Sequence, residues 1–583
     1  MKLRAAIALA LSAAAVRLIP LHFLHPLNWD ELEFYRATSW IAQGRLPFRD
    51  FWEHHTPLMW FLFAPFTWVV ESPGVDAVIA LRWAQVPVWV ATFWLTNVWM
   101  RGAGIDRFAR WVGMGVAACS SLLMIPAVEY RVDSLGCMLV MAGLVLAQRE
   151  QFFLAGMVFC LAGFANLRLG PVLVMAVLLV LVTKRVRAWP IAAGGVTMLA
   201  LWIAFFAATG SLDELVQQVW TDNRAERFAT PVIGGFMHRL LVPFGVRLLA
   251  TDRLFELAAM DVGGVLVLLA GFAGMLLALR VRGALLQIAL LQLTNILFVS
   301  SMKFIYNYHL ALLLILMIPL VAAIVERVPR REAVMAVLAL AWGVNAFASI
   351  FRGKEHDLAY QDTIMREVHA RTRPGDQVWS GITWALHREP AYRFWFLPEL
   401  ARQLVREKLA PAYVPSEPPA AVVFDHNALL WVGTVQRELA PYFVRHYVPV
   451  WRELWVPGMN AKLAPGRGFA WRVPADGDYR VYVSERLVRH PWFRNPLAFA
   501  TYKKADAARF TVQLTAETAG PVRFSAPLRG LREGQRLAAL NTGDREVAVI
   551  LLPNDERVLF RQPAGGATLE GETTRVTHVP RFR

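Results

Sequence analysis

Eleven apolar runs approach the length that a helix needs to cross a hydrocarbon core, and no other property of the chain restricts its fold so severely. A span takes about 20 residues at 1.5 Å each. In lipid every backbone N–H and C=O must find its partner within protein, which leaves helices or a closed barrel. The runs fall at roughly 5–24, 77–99, 111–127, 134–148, 152–167, 169–183, 189–209, 260–279, 284–301, 308–325 and 332–350. Composition agrees: of 583 residues 56% are hydrophobic, with 35 Phe and 22 Trp. The expectation is a polytopic α-helical membrane protein over residues 1–350. The opening AAIALALSAAA has the make-up of a signal peptide. The run continues through Leu18-Ile19-Pro20-Leu21, so we read an uncleaved span.

Charge orients the spans. Lys2 and Arg4 precede the first one. With that end in the cytoplasm, Arg101–Arg110, Arg149-Glu150, Lys184–Arg187, Arg280–Arg282 and Arg327–Arg331 all fall inside, as the excess of Lys and Arg in cytoplasmic loops requires. The stretch 58–70 is short and interrupted by Pro65, which reads as an interfacial helix on the outer face. Residues 31–43 read as a second one, with Phe34, Ala37 and Ile41 on one face and Gly44 as its stop.

The net charge of +16, from 60 basic and 44 acidic residues, fits loop arginines and a basic surface facing anionic lipid. No zinc-finger spacing or RNA-binding motif accompanies it, which argues against a nucleic-acid partner. Cys119, Cys137 and Cys160 lie in apolar runs and form neither a disulfide framework nor a thiolate metal site. The Ala/Arg/Val/Leu-rich, Lys-poor composition points to a bacterium, hence to the plasma (inner) membrane.

Membrane-length runs stop after about residue 350. Residues 351–458 read as α/β, with helices near 357–371 and 398–408 and strands at Gln377–Trp379 and Ala420–Phe424. No glycine-rich phosphate loop accompanies them. Residues 459–583 read as β-rich and fit a small sandwich, with a turn at Asn541-Thr542-Gly543-Asp544 before a strand at Val547–Leu552. Trp451, Trp455, Trp471 and Trp492 are either core residues of this region or sugar-facing aromatics. Parity places the whole tail outside the cytoplasm.

Threading the spans brings ionisable residues from distant segments to the outer ends. Asp30, Glu31, Glu53, His54 and His55 lie in the first loop, and Arg82 near the outer end of the second span. Glu129, Tyr130, Arg131 and Asp133 follow the third, and Asn166 and Arg168 lie between the fifth and sixth. Lys303, Tyr306, Asn307, Tyr308 and His309 lie between the ninth and tenth, and the long loop adds Asp222, Asn223, Arg224 and Glu226. Each has an ordinary reading: a solvated acid, a cation snorkelling to headgroups, an interfacial aromatic. Adjacent histidines on a helix point about 100° apart, which argues against their chelating one metal. Together, carboxylates and cations at one membrane edge suit a lipid-linked phosphosugar: guanidinium forks hold phosphate, and a carboxylate takes a proton from an attacking hydroxyl.

The first loop resembles that of the GT-C glycosyltransferase superfamily, in its branch of protein O-mannosyltransferases and lipid A aminoarabinose transferases. The likeness rests on Asp30-Glu31 after the first span, the two-helix outer loop, and Glu53-His54-His55-Thr56-Pro57-Leu58. Thr56 stands where the family often has proline. Asp133 resembles the family's second acidic position. Asn166-Leu167-Arg168-Leu169-Gly170 resembles a Thr-Lys-Gly-like element, and Lys303-Phe304-Ile305-Tyr306 the late Lys/Arg-x-x-Tyr element. The resemblance spans residues 1–350 and implies inverting transfer of a sugar from a polyprenyl-phosphate donor to an envelope glycolipid, glycan or protein. It implies Asp30 as base or acceptor-orienting acid, with Glu31, Glu53 and Asp133 as further catalytic acids. His54, His55, Arg82, Arg131 and Tyr306 would contact substrate, and Arg168 and Lys303 would hold the lipid phosphate. A divalent metal is left open, with Asp30 and Glu53 as its candidate ligands. The rival reading is a transporter or flippase, which expects ionisable groups near the midplane and internal repeats.

Overall fold

The computed structural model describes residues 2–223, 262–281, 283–302, 307–352, 357–415, 418–451, 453–473, 477–484, 512–516, 519–522, 528–532, 535–544 and 547–553. The chain divides into two compact units, Met1–Met365 and Arg366–Arg583.

The first unit is helical. Helices α1 (Lys2–Leu24), α2 (Trp29–Ala42), α3 (Leu58–Phe63) and α4 (Asp76–Gly102) are followed by α5 (Arg107–Ala118), α6 (Ser121–Val128), α7 (Val132–Gln148) and α8 (Phe152–Ala165). Then come α9 (Gly170–Lys184), α10 (Pro190–Ala208), α11 (Val262–Val281), α12 (Gly283–Ser301), α13 (Ala311–Val325), α14 (Arg331–Arg352) and α15 (Asp357–Arg371), after a short helical turn and a π-helix at Val216–Asp222. All eleven expected runs are helical over most of their described residues, the third being broken between Ala118 and Ser121. By length and apolarity, however, seven helices among the described residues qualify as spans, or eight if α5 and α6, bent by 75°, form one. Helices α7 and α8, at 17 and 14 residues, stop short of bilayer length. Seven or eight helices of span length, rather than eleven, therefore stand among the described residues.

Burial sorts the helices. From Ala311 to Ala323 every residue of α13 is buried, as expected of a helix that is apolar all round. Helix α10 is also strongly apolar but exposes Val196, Leu199, Leu201 and Ile203, the surface that a lipid-facing helix presents. It approaches α8 through glycines: a Cβ on Gly156 would lie 1.9 Å from the Ile191 carbonyl oxygen.

Helix α2 departs from the interfacial helix expected from the sequence. Ten consecutive residues, Glu31 to Trp40, are buried, so it has no solvated face over that stretch. It ends as expected, with Gly44 in the left-handed region at φ +84°. The following loop packs over it and is tied to the π-helix. The Gln218 side chain accepts from Glu53 N (2.8 Å) and donates to Phe48 O (3.1 Å), and Asn223 Nδ2 donates to His54 O (2.6 Å). Phe48 adopts φ +71°, rare for a bulky residue, with its ring edge-on to Phe206.

The second unit carries a five-stranded mixed sheet. Its strands are β1 (Gln377–Ser380), β2 (Glu389–Pro390), β3 (Ala421–Val423), β4 (Tyr447–Trp451) and β5 (Leu454–Pro457), in the order β2-β1-β3-β5-β4, with β1 parallel to β2 and β3. Two four-stranded antiparallel sheets follow. One has the order β10 (Ala519–Val522), β9 (Val512–Ala516), β12 (Arg536–Asn541), β7 (Gly468–Arg472). The other has β11 (Leu528–Leu531), β8 (Gly477–Ser484), β13 (Val547–Pro553), β6 (Met459–Leu463). The Asn541–Asp544 turn thus joins strands of different sheets. Trp455 is buried; the side chains of Trp451 and Trp471, and all of Trp492, lie outside the described residues.

Candidate functional site

The site begins at the N-terminus of α2. Asn28 caps the helix by accepting from Asp30 N, and Glu31 closes a capping box by accepting from Asn28 N at 2.9 Å. Both acids sit in the first turn, where the helix dipole favours negative charge. Their fates diverge because successive residues on a helix point about 100° apart.

Glu31 turns inward to Arg82 of α4. Arg82 Nε and Nη2 donate to its two oxygens at 2.7 and 2.6 Å, and Tyr130 N adds a third donor at 2.9 Å. The remaining Arg82 N–H groups go to the carbonyls of His22, His25 and Pro26. A guanidinium has five N–H donors, and all five are engaged with both side chains fully buried. Arg82, expected to contact substrate, and Glu31, expected as a catalytic acid, form a closed pair that fastens α2 to α1 and α4. Neither has a donor or acceptor turned outward.

Asp30 remains partly exposed and accepts from Arg131 Nη2 at 2.8 Å. Arg131 opens α7 from extended backbone and is held by Gln85, whose Oε1 accepts its N–H. One buried guanidinium also faces Asp133 at 3.3 Å and Glu129 at 3.4 Å. The Tyr308 ring lies 3.4 Å from its Cζ, a cation–π contact. His25 Nε2 lies 3.1 Å from Glu129. Arg131 is thus the hub joining Asp30 to Asp133.

Asp133 lines an open pocket together with Asn166, Arg168, Asn295, Tyr308 and His309. Asn166 Nδ2 donates to Asp133 at 2.9 Å, and its Oδ1 caps the short turn bearing Arg168 by accepting Arg168 N. Arg168 Nη1 lies 2.8 Å from His309 Nε2. A guanidinium only donates, so His309 accepts there, which places its own proton on Nδ1. Lys303 and Tyr306 lie outside the described residues, as do Arg224 and Glu226.

Glu53, His54 and His55 gather around Glu33 of α2. Residues 52–56 are not helical, so the divergence expected of adjacent helical histidines does not arise. Both imidazole Nδ1 atoms reach the same carboxylates: His54 lies 3.5 Å from Glu33 and 3.6 Å from Glu53, and His55 3.4 and 3.0 Å. Burial and then the neighbouring Glu33 push Glu53 up to about 7. Burial and then Asp30 push Glu33 well above the carboxylate range. The ligand pair Asp30 and Glu53 is not what the fold assembles: Asp30 pairs with Arg131, and the acid beside Glu53 is Glu33. The sequence reading passed over Glu33, although helical spacing held the signal. Two residues from Glu31 is about 200°, the opposite face of α2, and three from Asp30 is nearly the same face.

No family model and no curated protein matches the chain. Solved structures do. ArnT from Cupriavidus metallidurans in the apo state aligns with a TM-score of 0.54 and 13% identity, over 77% of this chain and 97% of that one. ArnT from the same organism bound to undecaprenyl phosphate aligns with a TM-score of 0.51 and 12% identity over the same shares. The apo oligosaccharyltransferase of Archaeoglobus fulgidus is more distant, with a TM-score of 0.42 and 13% identity, over 77% of this chain and 73% of that one. At such identities the likeness is one of fold: this is a polytopic helical membrane protein that shares the fold of the ArnT structures, with a C-terminal region of mixed and β structure.

Proposed function

We propose that the chain is an inverting glycosyltransferase that moves a sugar from a polyprenyl-phosphate donor to an envelope glycolipid, glycan or protein, at the outer face of a bacterial plasma membrane. The carrying observation is the chain of contacts from Asp30 through Arg131 to Asp133, with Asp133 opening on a cavity that also holds Arg168 and His309. A GT-C neighbour that binds undecaprenyl phosphate supports the donor class.

In this reading Asp30, the most exposed of the Arg131-bound acids, takes the proton of the acceptor hydroxyl. The acceptor oxygen bonds to the anomeric carbon as the bond from that carbon to the phosphate oxygen breaks, and the pair of electrons leaves on the lipid phosphate. Arg168, with Lys303 from the adjoining segment, neutralises that charge, so the leaving group needs no proton. Asp133 and Asn166 shape the wall, and Arg131 holds Asp30 in place. Glu31 and Arg82 position the loop.

The test compares extracted lipids and envelope glycans, by mass spectrometry, from cells with and without the chain. A polyprenyl-phosphate sugar that accumulates, together with a glycan that loses one sugar, is the expected result. Asp30→Asn keeps an oxygen for Arg131 and removes the base, and should lower transfer by about 10²-fold or more with protein levels unchanged. Unaltered lipids and glycans on deletion would overturn the reading.

A further inference from the structure

We infer that Glu33, Glu53, His54 and His55 form a binding site for one tetrahedral divalent transition ion of the zinc class, which fastens the first outer loop to α2. Neither the transfer chemistry above nor the Asp30–Arg131–Asp133 group requires it.

The geometry is the first argument. Zinc bonds to imidazole nitrogen and carboxylate oxygen measure about 2.0–2.2 Å, so the edges of a tetrahedron built on them measure about 3.3–3.6 Å. The four imidazole–carboxylate separations are 3.5, 3.6, 3.4 and 3.0 Å. One donor atom from each of the four residues lies within 4.8 Å of every other. Three of the four separations match such an edge or come within 0.1 Å of it and the fourth is shorter, so four side chains from two segments converge closely enough to surround a single small ion.

Unmet polar atoms are the second argument. Glu33 and Glu53 are 1% and 0% exposed, and Oε2 of each is buried with no hydrogen-bond partner among the described residues. Two buried carboxylates side by side cannot both remain charged unless positive charge joins them, from a metal ion or from a protonated imidazole. Imidazole nitrogens add the preference for zinc-like over magnesium-like ions, which favour all-oxygen sites.

The surroundings suit a ligand shell held in place. Glu53 Oε1 accepts from the backbone N–H of His54 (2.8 Å) and of His55 (3.0 Å), fixing the carboxylate. Trp52 stacks on the His54 ring at 5.0 Å, and Phe34 meets the His55 ring edge-on at 5.1 Å. Such outer contacts orient ligands and exclude water. The alternative occupant of the same geometry is a proton shared between the two acids.

The experiment uses the full chain in detergent, without a polyhistidine tag, stripped with chelator and titrated with Zn²⁺ and with Co²⁺. Bound metal is read by plasma mass spectrometry, Co²⁺ by its visible absorption, and folding by thermal unfolding. About one ion per chain is expected, with a tetrahedral Co²⁺ spectrum and a rise in Tm on adding Zn²⁺. Glu33→Gln and His55→Ala should each weaken binding by about tenfold or more. Asp133→Asn, outside the group, should leave metal uptake unchanged. Stripped wild-type protein that is folded yet takes up no stoichiometric ion overturns the inference and leaves the shared proton, whether or not either variant folds. So does uptake that survives both substitutions. Since no readout is transferase activity, a failed metal site and a failed transfer reading remain distinguishable.

Discussion

Arg82 and Arg131 use one chemistry for two ends. Arg82 spends every donor on Glu31 and three backbone carbonyls inside the protein. Arg131 divides one charge among Asp30, Glu129 and Asp133, leaving the acids in excess and Asp30 partly open. Arg82→Met therefore strands a buried carboxylate and should cost about 3–5 kcal/mol, whereas adding Glu31→Leu should recover part of that loss. Thermal unfolding in detergent of the single and double variants checks this, and a double variant less stable than Arg82→Met would contradict it. Arg168→Ala removes a charge-assisted phosphate contact worth about 1.5–3 kcal/mol, so catalytic efficiency with the lipid donor should fall roughly ten- to hundredfold. Arg168→Lys should keep more activity than Arg168→Ala, and donor kinetics unchanged in both would remove Arg168 from the phosphate site.

Among elements, the close pair α8 and α10 gives a direct test of packing. Small residues let membrane helices approach until backbones touch. A Cβ on Gly156 would lie 1.9 Å from Ile191 O, and one on Gly194 would lie 1.9 Å from Phe153 O. Both obstacles are backbone, so neither can swing aside. Gly156→Ala and Gly194→Ala should each lower Tm, while Gly170→Ala, where a Cβ would meet nothing within 4 Å, should not. Equal melting curves for all three would refute this account of the interface. The β-rich region offers a second instance of elements fixed by context: the Asn541–Asp544 turn was legible, but not that it passes from one sheet to the other.

For the whole molecule, the arrangement proposed here has the N-terminus and Arg101–Arg110 in the cytoplasm, and the first loop and the tail outside. Basic residues flanking the runs motivate it. With Cys119, Cys137 and Cys160 replaced, a cysteine at Arg45 and another at Arg529 should react with an impermeant thiol reagent in intact cells, and one at Arg107 should not. Labelling at Arg107 with protection at Arg529 would reverse the topology.

Apolar length, loop charge and helix punctuation are local properties, and they determined the polytopic helical unit, the Gly44 stop, and the strands expected at Gln377–Trp379 and Val547–Leu552, which run one residue longer in the fold. They also singled out Asp30, Arg131, Asp133 and Arg168, since charged groups beside apolar spans are scarce. Partnership was not legible, because it depends on which faces meet across distant segments. Only the folded chain engages all five donors of Arg82, makes Arg131 common to three acids, and sets His309 against Arg168. Only there does an unwound loop bring His54 and His55 together at Glu33. Burial decided the rest: of three acids within one turn of α2, Glu31 is sealed against an arginine, Glu33 against a second carboxylate, and Asp30 alone keeps access to what lies outside.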